Sequence, residues 1–214
     1  MKILLVAATR AEIEPFLTHF SFSDVPPYEK TIRNYQIKVL ITGAGMVPTA
    51  FALGKALSEE HFELAINAGI AGSFNPNLKP GDICLVREDI FVEFGAEDGD
   101  NFLSIEILGL GKSTYLPKPN PSFTKHRNLQ EVRAITVNKV HGNDLSILKT
   151  IAHFNPEIES MEGAAFFYSC EQSNTPCIQI RAISNFVERR NRENWKIELA
   201  VNTLNDTLIQ LFDS

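Results

Sequence analysis

Residues 177–183, Cys-Ile-Gln-Ile-Arg-Ala-Ile, form a short, mostly apolar run that ends in Ser184-Asn185. That pattern belongs to a strand buried on both faces, and such strands are covered by helices on both sides of a sheet. Residues 2–8, 35–42, 62–67, 83–86 and 134–140 carry similar runs, most of them separated by helical patterns. Five or six apolar strands alternating with helices predict an α/β protein built as a three-layer α/β/α sandwich. The length of 214 residues fits a single domain over 1–214.

The segment before that strand, residues 159–176, reads Glu-Ser-Met-Glu-Gly-Ala-Ala-Phe-Phe-Tyr-Ser-Cys-Glu-Gln-Ser-Asn-Thr-Pro. Ser160 is expected to cap a helix, with Glu162 in its first turn beside the positive end of the helix dipole. Gly163, Ala164 and Ala165 leave room for a backbone or a ligand. The helix should stop near Asn174-Thr175-Pro176, since Pro176 biases Thr175 away from helical dihedrals. At the other end of the chain, the strand over 2–8 runs through Thr9-Arg10-Ala11-Glu12 into a helix. Glu12 is either a helix-starting acid, a duty Glu14 fits as well, or a functional carboxylate. Glu12, Glu162 and Asn185 all fall at element ends of the kind where ligands bind in open α/β sheets.

Glycines mark two further places. Gly43-Ala-Gly45 lies between the strand over 35–42 and a helix expected over 49–57. A dinucleotide fingerprint there lacks its third glycine and has Pro48 in its place, so a tight turn accounts for the glycines as well. Asn67-Ala-Gly-Ile-Ala-Gly-Ser-Phe74 is expected to be a glycine-rich turn after the strand over 62–67. Gly109-Leu-Gly-Lys-Ser113 resembles the end of a phosphate-binding loop, but Glu106 stands where that motif needs glycine. Residues 94–130 are irregular, the mark of a functional loop or an interface. A closing helix is expected over 195–212, apolar at Ile197, Val201, Leu204, Leu208 and Leu211.

Composition narrows the partners. A net charge of −6 with mixed signs argues against nucleic acid, and the cluster Arg189-Arg190-Asn191-Arg192 is too short to overturn this. Cys84, Cys170 and Cys177 lack C-x-x-C spacing and read as buried thiols in a reducing compartment, neither disulfides nor a metal site. No apolar run reaches membrane-spanning length, and the start is too short for a signal sequence. A cytoplasmic protein is expected.

Ser-Met-Glu-Gly-Ala-Ala at 160–165 followed by Arg-Ala-Ile-Ser-Asn at 181–185 resembles the purine nucleosidase and nucleoside phosphorylase superfamily. The stretch Asn185-Phe-Val-Glu-Arg-Arg-Asn-Arg-Glu-Asn-Trp195, with Thr136-Val-Asn-x-Val-x-Gly142, is similar to the futalosine hydrolase branch, which serves the alternative menaquinone pathway. The resemblance implies a central twisted mixed sheet, no cofactor, and a homodimer or higher homo-oligomer. Within it, Glu12 matches the glutamate that activates water, Met161 and Glu162 hold the ribose, and Ala71 and Gly72 adjoin water and sugar. Asn185 meets the purine. Trp195 matches an aromatic that packs on the base, although a core tryptophan at a helix start fits equally. Val140 and His141 are candidates for the base pocket, with His141 favoured as a hydrogen-bonded structural residue. Phe94 and Phe102 are placed near a neighbouring protomer's site. Arg181, Arg189, Arg190 and Arg192 are candidates for the carboxylate of a benzoate-bearing substrate.

The implied reaction is hydrolysis of an N-glycosidic bond through an oxocarbenium-like state. Asn185 stands where relatives that cleave adenine nucleosides carry aspartate. An amide can donate through its NH₂, which suits the O6 and N7 acceptors of hypoxanthine better than adenine. The alternatives are a methylthioadenosine or adenosylhomocysteine nucleosidase, a purine nucleoside phosphorylase, and a non-catalytic nucleoside-binding module.

Overall fold

Alternation along the first strand sets the layers. In β1 (Lys2–Ala7), Ile3, Leu5 and Ala7 join one apolar cluster and Leu4 and Val6 another, as the period of two in a strand requires. The first cluster contains Ile13, Phe16 and Leu17 of α1 (Arg10–His19) and Ala200, Leu204, Leu208 and Phe212 of α5 (Ile197–Asp213). The second contains Leu53 of α2 (Met46–Glu59) and Phe166, Phe167 and Cys170 of α4 (Gly163–Gln172). Helices therefore cover both faces of the sheet, the three-layer α/β/α sandwich expected from the sequence. The computed structural model describes residues 1–99, 101–123 and 128–213.

Among the described residues the sheet has nine strands, of mixed direction. β2 (Tyr28–Ile32), β3 (Tyr35–Ile41), β1, β4 (Leu64–Ser73) and β11 (Cys177–Phe186) follow one another across it. Beyond β11 lie β5 (Ile83–Phe91), β9 (Gln130–Thr136) and β10 (Ile158–Ser160), with β8 (Thr114–Tyr115) paired to β5. β10 also pairs with β4, Ile158 opposite Ser73, so this half of the sheet closes on itself. β6 (Gly95–Asp98) and β7 (Asn101–Ser104) form a separate hairpin, and α3 (Asp144–Phe154) precedes β10. Because β1, β4 and β11 are adjacent and parallel, their carboxyl ends lie side by side.

Several boundaries differ from the sequence reading. β4 runs straight through the glycine-rich segment that was expected to turn, paired with β11 from Ala65 to Ser73. The strand expected over 134–140 is shifted to Gln130–Thr136. α2 starts at Met46, with Pro48 inside its first turn, where a missing N–H costs nothing because that donor has no helical partner. Ser160 closes β10 and its Oγ accepts from Gly163 N at 3.3 Å, while Glu162 is the N-cap residue of α4. β2 and β10 were not expected: one is polar along an edge, the other three residues long.

One contact ties the first helix to the last. Pro15 inside α1 removes a backbone donor and its ring crowds the preceding turn. At that turn Phe16 N donates to Asn205 Oδ1 at 2.9 Å, and Asn205 Nδ2 donates to Glu12 O at 2.9 Å. The buried amide of α5 thus satisfies the two backbone groups that a regular helix would have paired with each other. Asn205→Leu leaves both unsatisfied, so unfolding free energy in urea should fall by about 3 kcal/mol. A loss under about 1 kcal/mol would show that α1 closes on its own.

Candidate active site

Glu12 is fixed by its own helix start. Thr9 is the N-cap of α1, and the pair forms a capping box: Thr9 N donates to Glu12 Oε2 at 2.9 Å and Thr9 Oγ1 donates to the same oxygen at 2.9 Å. The other oxygen, Oε1, accepts from Ile70 N of β4 at 3.2 Å. The helix-start and functional readings of Glu12 are therefore compatible, since capping engages Oε2 and turns Oε1 toward β4. Glu14 instead pairs with Arg10.

Glu162 is buried at the start of α4. Its Oε1 accepts from Gly45 N at 2.9 Å, which joins α4 to the start of α2, and its Oε2 lies 3.7 Å from Arg181 Nη1. Arg181, in β11, is 1% exposed. Both its Nε and Nη2 donate to Gln179 Oε1, at 2.9 and 2.7 Å. A Cβ on Gly69 would come within 2.3 Å of Arg181 Nη1 and 3.0 Å of Glu12 Oε1. The glycine is there to let a guanidinium and a carboxylate lie on the backbone of β4.

Asn185 stands beyond a bulge. Ile183 pairs with Ala71 and Asn185 with Gly72, so Ser184 is the extra residue. Ser184 Oγ donates to Asn185 Oδ1 at 2.7 Å and also lies 3.1 Å from Ala71 O. Asn185 Nδ2 donates to Phe186 O at 2.8 Å. A carbonyl can only accept, so the nitrogen must face Phe186 and the oxygen Ser184. With Oδ1 held by the hydroxyl, the second N–H of Nδ2 is left for a ligand. Gly72 lies beneath this amide, its Cβ direction 3.4 Å from Nδ2.

The structure thus brings Glu12, Ala71, Gly72, Glu162, Arg181 and Asn185 to one end of β1, β4 and β11. Met161 is half-buried directly before Glu162. Trp195 is half-buried and carries the Arg190 guanidinium 5.3 Å from its ring centre, and Lys196 N donates to Ser184 O at 2.8 Å, which anchors this segment beside Asn185. Val140 packs on the small cluster of Ile90, Val92, Ile135 and Val137. His141 has both ring nitrogens engaged, Nδ1 with Glu159 Oε2 at 2.5 Å and Nε2 with Thr150 Oγ1 at 2.8 Å, the structural role favoured from sequence. Arg181 is held within the site's floor, whereas Arg189, Arg190 and Arg192 are exposed.

Gly45, read from sequence as part of a tight turn, supplies the N–H that Glu162 accepts, and three participants were not singled out from sequence: Thr9, Gln179 and Asp89. Gln179 was visible as a polar residue inside an apolar run, whereas Asp89 follows Arg87-Glu88 in a charged stretch. Asp89 is fully buried; Gln179 Nε2 donates to its Oδ2 at 2.9 Å and Thr136 Oγ1 to its Oδ1 at 2.8 Å. A cavity of about 420 Å³ opens between α2 and α4, lined by Met46, Val47, Phe91, Phe94, Tyr115 and Tyr168 among others, and it is mostly apolar. None of Glu12, Glu162, Arg181 and Asn185 lines it, but Met46 adjoins Gly45 and Ala165 sits on the first turn of α4.

Burial pushes the Asp89 carboxyl up to about 6 from 3.8, against its hydrogen bonds from Gln179 and Thr136 and the pull of Arg181. A carboxyl raised by folding favours the folded state most when protonated. That contribution is complete below about pH 4 and is lost as pH rises through about 6, some 3 kcal/mol in all. Between those pH values the unfolding free energy of wild type should therefore fall relative to Asp89→Asn, measured in urea. A pH-independent difference would show that Asp89 does not titrate there.

Comparison with known proteins places the chain in a family and bears on the fold. The model of the phosphorylase superfamily matches residues 2–212. The futalosine hydrolase of Streptomyces coelicolor is 32% identical over 160 residues, 73% of this chain and 68% of that protein. The futalosine hydrolase of Thermus thermophilus is 26% identical over 207 residues, 94% and 91% of the two chains. The crystal structure of the 5′-methylthioadenosine/S-adenosylhomocysteine nucleosidase of Helicobacter pylori superimposes with a TM-score of 0.86 at 18% identity, covering 100% of this chain and 98% of that one. At that identity the match speaks for the fold.

Proposed function

The chain belongs to the phosphorylase superfamily, and from that premise we propose that it is a single-domain N-glycosyl hydrolase that splits futalosine into hypoxanthine and dehypoxanthinylfutalosine. The observation that carries the reading is the amide of Asn185. Its oxygen is held by Ser184 and its nitrogen has one N–H to spare. A donor there matches the O6 and N7 acceptors of a 6-oxopurine and mismatches the 6-amino group of adenine, a difference of about 1–3 kcal/mol in a buried site. The sequence likeness to two futalosine hydrolases supports the same substrate.

In this reading Glu12 Oε1 takes a proton from water as the water attacks C1′ and the bond to the purine breaks. A carboxylate in that position also repels phosphate, which favours hydrolysis over phosphorolysis. Glu162 accepts from the ribose hydroxyls, with Met161 against the sugar, while Asn185 donates to the departing base and Trp195 flanks it. The arm at the ribose 5′ end would enter the apolar cavity between α2 and α4. The second reading, a methylthioadenosine or adenosylhomocysteine nucleosidase, shares the fold and differs at the amide.

Measuring kcat/KM on futalosine, on its 6-amino counterpart aminodeoxyfutalosine and on methylthioadenosine tests both. Wild type should prefer futalosine over both others by roughly tenfold or more. Asn185→Asp should lose futalosine cleavage, since a carboxylate would meet O6 as acceptor against acceptor. Glu12→Gln should cost at least about 100-fold in kcat while substrate still binds. Equal wild-type activity on futalosine and methylthioadenosine would sink the specificity argument.

We also place the protein in the cytoplasm, where its three buried free thiols stay reduced. Among the described residues no helix is long and apolar enough to cross a membrane. Val47, Phe51, Phe94, Leu110, Leu116 and Tyr168 are exposed apolar side chains, three of which line the cavity mouth. Such a surface is what a second copy of the chain would cover. Sedimentation should give a dimer or larger assembly for wild type and smaller species for Val47→Glu/Phe51→Glu; a wild-type monomer at micromolar concentration removes this proposal.

A further inference from the structure

Beneath the site, a row of buried polar groups leads away from the reacting end. Arg181 donates twice to Gln179 Oε1, Gln179 Nε2 donates to Asp89 Oδ2, and Thr136 Oγ1 donates to Asp89 Oδ1 while accepting from Ala164 N at 2.7 Å. Asn67 Nδ2 approaches Gln179 Oε1 at 3.4 Å. The backbone is shaped to admit this row, since a Cβ on Gly163 would lie 2.0 Å from Asp89 Oδ2 and 2.3 Å from Gln179 Oε1. Two packing residues would fill the same space, so a buried carboxylate and amide at this cost call for a reason.

We propose that Asp89 and Gln179 are positioning residues: they tether Arg181 and so hold the Arg181–Glu162 pair open, leaving a Glu162 oxygen free for the ribose. The proposal rests on the reading of Glu162 as the ribose carboxylate. At 3.7 Å the pair is about 0.8 Å longer than a charge-assisted hydrogen bond. A guanidinium facing Glu162 and lying over Gly69 with Glu12 would close on a carboxylate if nothing restrained it. The restraint is the fork of Nε and Nη2 on one amide oxygen. That oxygen is made a stronger acceptor because the amide's NH₂ end donates to an anion. Gln179 thus acts as a polarised bridge of an indirect ion pair between Arg181 and Asp89. Without the anion, the bridge weakens, Arg181 swings toward Glu162, and the substrate must compete with the guanidinium for the carboxylate. The penalty therefore falls on substrate binding.

The chemistry of the bridge allows its charge to be moved by one residue. In Asp89→Asn the introduced amide meets Thr136 Oγ1 and Gln179 Nε2 and can satisfy only one of them fully. In Asp89→Asn/Gln179→Glu the carboxylate accepts from Arg181 directly and from the amide NH₂ introduced at position 89, while the oxygen of that amide still accepts from Thr136. Every hydrogen bond and the net charge are then restored with the 89–179 bond reversed. Steady-state kinetics on futalosine, thermal midpoints and the solvent exchange of the Arg181 Nε–H by NMR should be compared for wild type and both variants. The single variant should raise KM about tenfold with a smaller change in kcat, and should speed Nε–H exchange; the double variant should return KM to within about threefold of wild type. A purely structural role would lower the thermal midpoint and leave KM unchanged. An unchanged KM in the single variant, or a double variant no better than the single, overturns the proposal. Should the single variant fail to fold, the double variant decides by whether its KM stays within about threefold or rises about tenfold. If wild type releases no base from futalosine, the proposed reaction fails, and the exchange rate alone decides the tether: faster in Asp89→Asn supports it, unchanged refutes it.

Discussion

One guanidinium holds the centre of this molecule. Arg181 is buried among Glu12, Glu162 and, through Gln179, Asp89. Three carboxyl groups and a single cation in a closed interior are tolerable only because each carboxyl is also hydrogen-bonded by other groups. Glu12 takes donors from Thr9 and Ile70, Glu162 from Gly45, and Asp89 from Thr136 and Gln179. The backbone follows the same demand. Gly69 and Gly163 are bare where a methyl group would strike Arg181 or Asp89. Much of the local architecture, including the straight run of β4, is thus arranged around keeping one charge dry and compensated.

The parts legible in the sequence are those where one rule acts alone. The apolar run at 177–183 and its polar end identified β11 and Asn185. The strand-to-helix switch after residue 8 placed Glu12, and the small residues after Glu162 located the start of α4 to within a residue or two. What was not legible came from residues with two uses. Gly69 and Gly72 read as turn formers, yet here the missing side chain gives room to other side chains while the strand continues. Pro48 reads as a barrier, yet in a helix's first turn it is harmless. Gln179 is a polar residue inside an apolar run, which a periodicity argument averages away, and Asp89 follows Arg87-Glu88, where an acid reads as one more exposed charge. The bulge at Ser184 depends on a partner strand more than 100 positions distant, which no local pattern records.

The two ends of the site work by different physics. At Asn185 one amide is turned by Ser184 and Phe186, so any selectivity it gives comes from the direction of hydrogen bonding. Between α2 and α4, a cavity of about 420 Å³ lined largely by aromatic and aliphatic groups offers area without direction. A site with one strict and one permissive end accepts variation in one part of its ligand and refuses it in the other.

The amide of Asn205 closes α1 at the turn that carries Glu12, from 193 positions away. During synthesis α1 leaves the ribosome long before Asn205 has been made. A growing chain therefore carries its Glu12 turn open, with Pro15 preventing the helix from repairing itself. The two backbone groups of that turn gain their partners only when α5 docks. A nascent or proteolytically shortened chain that lacks α5 carries Glu12 on a turn whose backbone groups have lost the amide that pairs them.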